Sequence, residues 1–218
     1  MGLSMSKDSY LTEQEAFWAG DFGTEYIHRN MEHKKMVSNI SLFSHALRMT
    51  GPIKSCIEFG ANIGLNLAAL RILYPGQLQY ALEINEKAAK ELRNHLPDEN
   101  VFEMSILDFD PQVAATKGQG YDLVLAKGFL IHINPDYLVT VYEKLYTCTR
   151  KYLLIAEYYN PTPVMVNYRG HDDRLFKRDF AGELMDKYPD LVLLDYGFVY
   201  HRDPSFPQDD ITWFLMKK

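Results

Sequence analysis

Between residues 53 and 157, short apolar runs alternate with segments of helical period, and this alternation restricts the fold more than any other feature of the chain. Ile53 to Phe59, Leu78 to Ile84, Val101 to Ile106, Asp122 to Ala126 and Tyr152 to Glu157 read as strands. Leu65 to Leu73, Glu86 to Leu96 and Pro135 to Thr149 read as helices, with a shorter one after Pro111. Strands joined through helices form right-handed βαβ units, and hence a parallel sheet covered on both faces. The near-continuous apolar character of DLVLA and YLLIA suits strands with no solvent side.

The rhythm stops after residue 157. A polar segment covers 160–176, a helix is predicted over Arg178 to Tyr188, and two strands follow, Leu191 to Tyr200 and Ile211 to Met216. With only HRDPSFPQDD between them, these two are expected to pair as an antiparallel hairpin. At the other end, Thr12 and Glu15 have capping-box spacing, so a helix starts there and breaks near Gly20 or Gly23. A second helical pattern over 32–49 ends at Thr50-Gly51-Pro52. The expected organisation is an N-terminal helical extension or lid over 1–52 and one α/β domain over 53–218.

The formal charge is −6, with 23 Lys and Arg against 29 Asp and Glu, and no basic block stands out. Phosphate backbones need clustered cations, so nucleic acid is not the expected partner. Cys56 and Cys148 lie in apolar surroundings and read as buried thiols, without support for a disulfide framework or a zinc site. No apolar run reaches the roughly 18 residues of a membrane span, and MGLSMSKDSY lacks a signal-peptide core, so a cytoplasmic protein with no membrane contact is expected.

The first strand runs into CIEFGANIGLN, which places Glu58, Gly60 and Gly64 where an open parallel sheet binds ligands. A phosphate loop would need a lysine after the second glycine, and a dinucleotide fingerprint would need glycine where Asn62 stands. An acidic residue followed by two glycines four apart suits a phosphate-free nucleoside carrying positive charge. Glu83, with Ile84 beside it, ends the second strand about twenty residues on, the offset at which a carboxylate meets ribose hydroxyls. At the end of the third, Asp108 can accept from an adenine amino group while Ile106 or Leu107 packs on the ring; its alternative is a solvated loop acid.

EFGANIG, YALEIN, SILD and the terminal strand pair resemble the class I S-adenosylmethionine-dependent methyltransferases. That resemblance implies a Rossmann-like seven-stranded sheet, mostly parallel with an antiparallel C-terminal strand, and S-adenosyl-L-methionine as cofactor. EQEAFWAGDFGTEYIHRN, LAKGFLIHINPDYL and YYNPTPVMVNYRGHDDRLFKRDFAGELM look like the pseudaminic acid biosynthesis-associated methylases. This narrower likeness implies a small-molecule acceptor: a nonulosonic acid, its amino-sugar precursor or its nucleotide-activated form.

Methyl transfer to a hydroxyl or an ammonium needs a base, and histidine suits neutral pH. His132, after the fourth strand, is the first candidate, with a backbone-bonded histidine as the alternative; His171 is the second. Lys127 borders the same loop, as a cofactor neighbour or a solvated charge. Tyr159, Asn160, Tyr168, Arg169 and Arg178 are candidate acceptor-binding residues, since arginine reads carboxylate or phosphate through two parallel bonds. The alternative is a surface loop whose cations pair with Asp172, Asp173 and Asp179. No further ligand spacing supports a metal at His171-Asp172-Asp173. Trp18 and Tyr26 either roof the cofactor, offering aromatic faces to a sulfonium, or pack as core. Two other functions compete with methyl transfer: a non-catalytic adenosyl-binding module and an NAD-dependent oxidoreductase.

Overall fold

Apolar runs without a polar side demand burial on both faces, and the central strands of a five-stranded parallel array meet that demand. The computed structural model of the protein describes residues 10–27, 33–114, 119–168 and 170–218. The parallel strands are β1 (Ser55–Phe59), β2 (Leu78–Glu83), β3 (Val101–Glu103), β4 (Tyr121–Lys127) and β5 (Thr149–Glu157). With β8 (Val192–Val199) and β9 (Ile211–Lys217) they form one seven-stranded sheet in the order β3-β2-β1-β4-β5-β9-β8. β9 runs antiparallel to β8, as the hairpin pattern predicts, and to β5, as the family resemblance implies. Every residue of β1, and all but the last of β4, is buried. Each large aliphatic side chain so covered contributes about 1.5–3 kcal/mol.

One face of the sheet packs on α3 (His33–Ala46), α4 (Leu65–Leu73) and α5 (Glu86–Leu92), with Phe43, Leu70 and Leu125 fully buried between them. The other packs on α7 (Leu138–Cys148) and α8 (Phe180–Lys187), around Phe59, Val124 and Leu145. Ahead of these come α1 (Glu13–Ala19), with the Thr12–Glu15 capping box in place, and α2 (Asp21–Ile27). A four-residue α6 (Pro111–Ala114) follows β3. The two cysteines are buried free thiols. No described helix is long and apolar enough to cross a membrane.

Two expectations need correction. The polar segment over 160–176 contains a hairpin, β6 (Val164–Tyr168) paired antiparallel with β7 (His171–Lys177). Gly170 takes φ +84° at its turn, its N–H bonded to Asn167 Oδ1. Val166, Tyr168 and Leu175 pack the hairpin onto the α7–α8 side of the core. The third strand is also shorter than expected. After Glu103 the chain turns on Ser105, whose carbonyl accepts the N–H groups of Asp108 and Phe109 and whose Oγ accepts that of Leu107.

Sheet order reverses between β1 and β4: chain connections run outward from β1 through β2 to β3, then return to β4 on the other side. An open α/β sheet binds ligands at such a point, beyond the carboxyl ends of the strands. Gly60 leaves β1 there and Gly128 leaves β4.

Candidate functional site

A cavity of about 260 Å³ opens at this switch point. Its floor is the loop after β1, and its geometry explains the spacing of the glycines. Gly60 has φ +71°, and a Cβ on it would lie 2.5 Å from Phe129 Cδ2. Gly64 has φ +81°, and its Cβ would meet Leu92 Cδ2 at 2.7 Å. Both positions therefore require glycine because protein side chains approach them closely. Gly60 lies on the cavity wall, whereas Gly64 faces α5 and lies outside it. Asn62 is also left-handed, at φ 48°, a conformation asparagine tolerates.

The loop's N–H groups are all engaged within the protein. Those of Gly60 and Ala61 donate to the Leu82 carbonyl at 2.9 and 3.1 Å, and that of Gly64 to the Ala61 carbonyl at 2.9 Å. Asn62 N–H donates to Glu83 Oε2 at 2.7 Å, and Ile63 N–H to Asn62 Oδ1 at 2.8 Å.

Three strand-end glutamates are buried at the crevice. Glu83 lines the cavity beside Ile84, with Oε1 taking the Asn85 N–H at 2.8 Å. Burial raises its pKa, against the opposing backbone hydrogen bonds. Glu58 is fully buried behind the wall. Its Oε1 accepts from Asn66 Nδ2 at 2.6 Å, and its Oε2 has no hydrogen-bond partner. Loss of solvation pushes its pKa to about 8, against the Asn66 bond and the charge of Lys127. Glu157, which sequence reasoning missed, ends β5 and accepts from the N–H groups of Phe129 and Leu130, both at 2.9 Å. Asp108, assigned to the adenine amino group, is exposed and outside the cavity wall. The Ser105 turn carries it away, and Ser105, Ile106 and Leu107 form that wall instead. Lys144 Nζ, from α7, fixes this turn by donating to the carbonyls of Leu107 and Phe109.

His132 lines the cavity, in the turn after β4. Its Nδ1 lies 2.8 Å from the Arg174 carbonyl on β7. A carbonyl can only accept, so Nδ1 carries the proton and Nε2 is left with its lone pair. Nε2 has no protein hydrogen-bond partner among the described residues. Burial lowers the pKa of His132 to about 4, despite that bond, and keeps the ring neutral. Lys127 also lines the cavity; burial lowers its pKa, opposed first by Glu58.

Trp18 and Tyr26 are on the wall too. Trp18 stands edge-on to Phe22 at 5.4 Å and Tyr26 at 5.5 Å, and its centroid is 4.4 Å from that of His132. These rings thus pack against one another while covering the cavity. The Asn85 side chain ties them down, donating to the carbonyls of Trp18, Ala19 and Gly20 at 3.2–3.3 Å while capping α5. Gln14 Nε2 bonds the Asp173 carbonyl at 2.9 Å, joining α1 to β7.

Of the candidate acceptor residues, Tyr168 lines the cavity, 5.3 Å from His132 between ring centroids. Three others lie outside the wall and have local partners. Tyr159 packs near Phe214, Asn160 closes a turn on the Thr162 carbonyl, and Arg178 bonds Glu183 at 2.6 Å. Arg169 lies outside the described residues, as does the side chain of His171, whose backbone opens β7. The cavity is completed instead by Lys35, Ser38 and Asn39 of α3, by Tyr158, and by Gln208 and Asp209 from the β8–β9 connection. Gln208 Nε2 donates to Asn39 Oδ1 at 2.9 Å and closes that end.

Sheet order, switch-point cavity and the antiparallel β9 together define the Rossmann-like fold of the class I S-adenosylmethionine-dependent methyltransferases. Solved structures agree. A 1,6-didemethyltoxoflavin-N1-methyltransferase of Burkholderia thailandensis, with S-adenosylhomocysteine bound, matches at 14% identity and TM-score 0.65, over 94% of this chain and 86% of its own. The magnesium protoporphyrin IX methyltransferase of Synechocystis, with S-adenosylmethionine bound, matches at 12% identity and TM-score 0.62, over 97% and 99%. A methyltransferase of Leishmania major matches at 16% identity and TM-score 0.66, over 94% and 81%. At these identities the likeness is one of fold. No protein-family model and no curated protein matches the chain.

Proposed function

We propose that the protein transfers a methyl group from S-adenosylmethionine to a small-molecule acceptor. The observation that carries this reading is the engagement of every N–H from Gly60 to Gly64 within the protein. A dinucleotide or a nucleoside triphosphate would need those donors for its phosphates. A nucleoside without phosphates does not, and the wall supplies what such a ligand needs. Glu83 provides a carboxylate for ribose hydroxyls, while Ile84, Ile106 and Leu107 provide apolar surface for a base. The buried, unpartnered Oε2 of Glu58 suits a positively charged group near the Asn66 side of the cavity. Bound there, S-adenosylmethionine would supply an activated methyl group on a sulfonium.

The remaining chemistry falls to the chain. His132 Nε2 accepts a hydrogen bond from the acceptor's hydroxyl or amino group and aligns the attacking atom. A base of such low pKa is weak, so it takes the proton late, once carbon bonding has made that proton acidic. The N-terminal helices act as a lid that excludes water, held by Asn85 and Gln14.

For the acceptor we propose a sugar-related acid of the nonulosonic type, its amino-sugar precursor or its nucleotide-activated form. The likeness of the long segments supports this. So does a chamber that combines aromatic surface from Tyr158 and Tyr168 with polar side chains from Lys35, Asn39 and Gln208. Calorimetric titration with S-adenosylhomocysteine and NAD tests the cofactor, and only the first is expected to bind. Incubation with a deuterated methyl donor and acidic amino-sugars, read by mass spectrometry, tests the acceptor. Binding of NAD instead of S-adenosylhomocysteine refutes the cofactor reading, and a product of another chemical class refutes the acceptor reading.

A further inference from the structure

The turn Leu130–His132 begins without a cap of its own, because the Phe129 side chain has nothing to offer its first N–H groups. Such groups at the start of a helical turn need an acceptor from elsewhere. Glu157 provides it from the neighbouring strand. β4 and β5 stay paired through Lys127 and Ala156, and the Gly128 N–H extends the pairing to the Ala156 carbonyl at 3.0 Å. At Gly128, φ +62°, the chain leaves the sheet and presents the N–H groups of Phe129 and Leu130 to Glu157 Oε1. The Glu157 side chain is 2% exposed and lies outside the cavity wall, so it touches no ligand there.

We infer that Glu157 is the positioning residue for His132, holding the start of its turn while the Arg174 carbonyl holds its ring. This inference rests on the reading of His132 as the group that faces the acceptor. Two bonds to one buried carboxylate oxygen are geometrically demanding, and no second acceptor for these N–H groups is present among the described residues. Without them the turn loses its register on β5. His132 Nδ1 then loses its alignment with the β7 carbonyl, and with it the selection of the Nε2 lone pair.

The experiment follows the His132 imidazole by nitrogen-detected NMR in the full chain, its signals assigned by their loss in His132→Asn. Glu157→Ala, Glu157→Asp and Glu157→Gln are compared with the parent. Glutamine keeps an oxygen at the same reach; aspartate keeps the charge but falls one methylene short. In the parent and Glu157→Gln the ring is expected as the Nδ1–H tautomer, titrating well below the ordinary histidine value. In Glu157→Asp, and in Glu157→Ala if it folds, the tautomer becomes mixed and the midpoint rises by at least about one pH unit. An unchanged His132 signature in Glu157→Asp overturns the inference. So does a Glu157→Gln signature displaced as far as that of Glu157→Asp, which would transfer the effect to charge. S-adenosylhomocysteine affinity, measured on the same samples, is expected to stay within about threefold of the parent. Failure of the parent itself to bind it would count against the cofactor reading and leave the NMR comparison standing.

Discussion

Glu58→Gln separates what the buried acid costs the fold from what it offers a ligand. Glutamine is nearly isosteric and keeps an oxygen for the Asn66 bond, so packing is conserved and the ionisable proton is the main loss. Desolvation raises the Glu58 pKa from 4.5 to about 8, which corresponds to on the order of 5 kcal/mol against the charged form. A folded pKa raised above the unfolded one means that folding takes up a proton over that interval. The associated stability is fully present below pH 4.5 and is lost as pH rises through about 8. Glu157, raised to about 7 chiefly by burial, acts in the same direction. His132 opposes them at lower pH: its contribution is present above 6.5 and is lost as pH falls through about 4.

The parent protein is therefore expected to melt at a higher temperature at pH 6 than at pH 9. Glu58→Gln should match the parent near pH 5 and exceed it at pH 9. Removing the acid also deprives Lys127 of its main opposite charge, which reduces the gain. With about 2–4 °C per kcal/mol for a chain of this length, at least about 5 °C should survive at pH 9. Differential scanning fluorimetry across pH 5–9 reads this directly. A difference between variant and parent that does not change with pH would refute the reasoning. The same variant should bind S-adenosylmethionine more weakly, a gain in stability at the expense of the site.

His132→Asn should lower turnover by roughly 10²–10⁴-fold while leaving S-adenosylhomocysteine affinity within a few-fold, because the base faces the acceptor. Equal loss of both would transfer His132 to the cofactor. Two glycines with positive φ should respond differently to alanine. At Gly60 the added methyl would collide with Phe129, so strain and overpacking together should cost about 2–5 kcal/mol and lower the melting temperature. At Gly128 no protein atom lies within 4 Å of the added carbon, leaving the left-handed penalty of about 1–2 kcal/mol. Gly128→Ala should consequently weaken cofactor affinity more than its effect on melting suggests, as titration calorimetry would show.

Elements with local signatures were legible in the sequence. The central parallel strands declared themselves because burial on both faces removes the alternation of polar and apolar positions, and Thr12–Glu15 because a capping box is contained within four residues. The β6–β7 hairpin was hidden by its charged residues, although Val164 and Val166 alternate before a glycine turn. Asp108 misled because strand length was read from apolar character through Ile106, whereas the Ser105 turn begins earlier and rotates the acid outward. Arg178 was legible as a cation, but its pairing with Glu183 depends on where α8 starts. Asn85 and Gln14 act across long stretches of chain, and nothing in their neighbours marks them. Glu157 was legible in principle, since an acid ending the otherwise apolar YLLIAE repeats the pattern of Glu58 and Glu83.

That repetition has a physical basis. Where the chain leaves the sheet after β1 and β4, the backbone N–H groups of the departing loop need acceptors that the sheet no longer supplies. A glutamate ending the neighbouring strand can reach them. Glu83 supports the glycine loop through Asn62 N–H, and Glu157 supports the His132 turn through Phe129 and Leu130. Glu58 differs, because the loop it precedes is already satisfied by Leu82, Glu83 and its own atoms. Its carboxyl bonds the Asn66 side chain through one oxygen only and is desolvated enough to raise its pKa to about 8. Two of the strand-end acids are therefore explained by the fold, and the third by the fold only in part. Glu157 also keeps one oxygen without a partner, but its other oxygen holds two backbone N–H groups. The burial of Glu58 is offset by no backbone group, so Glu58 is where a positively charged ligand has the most to offset.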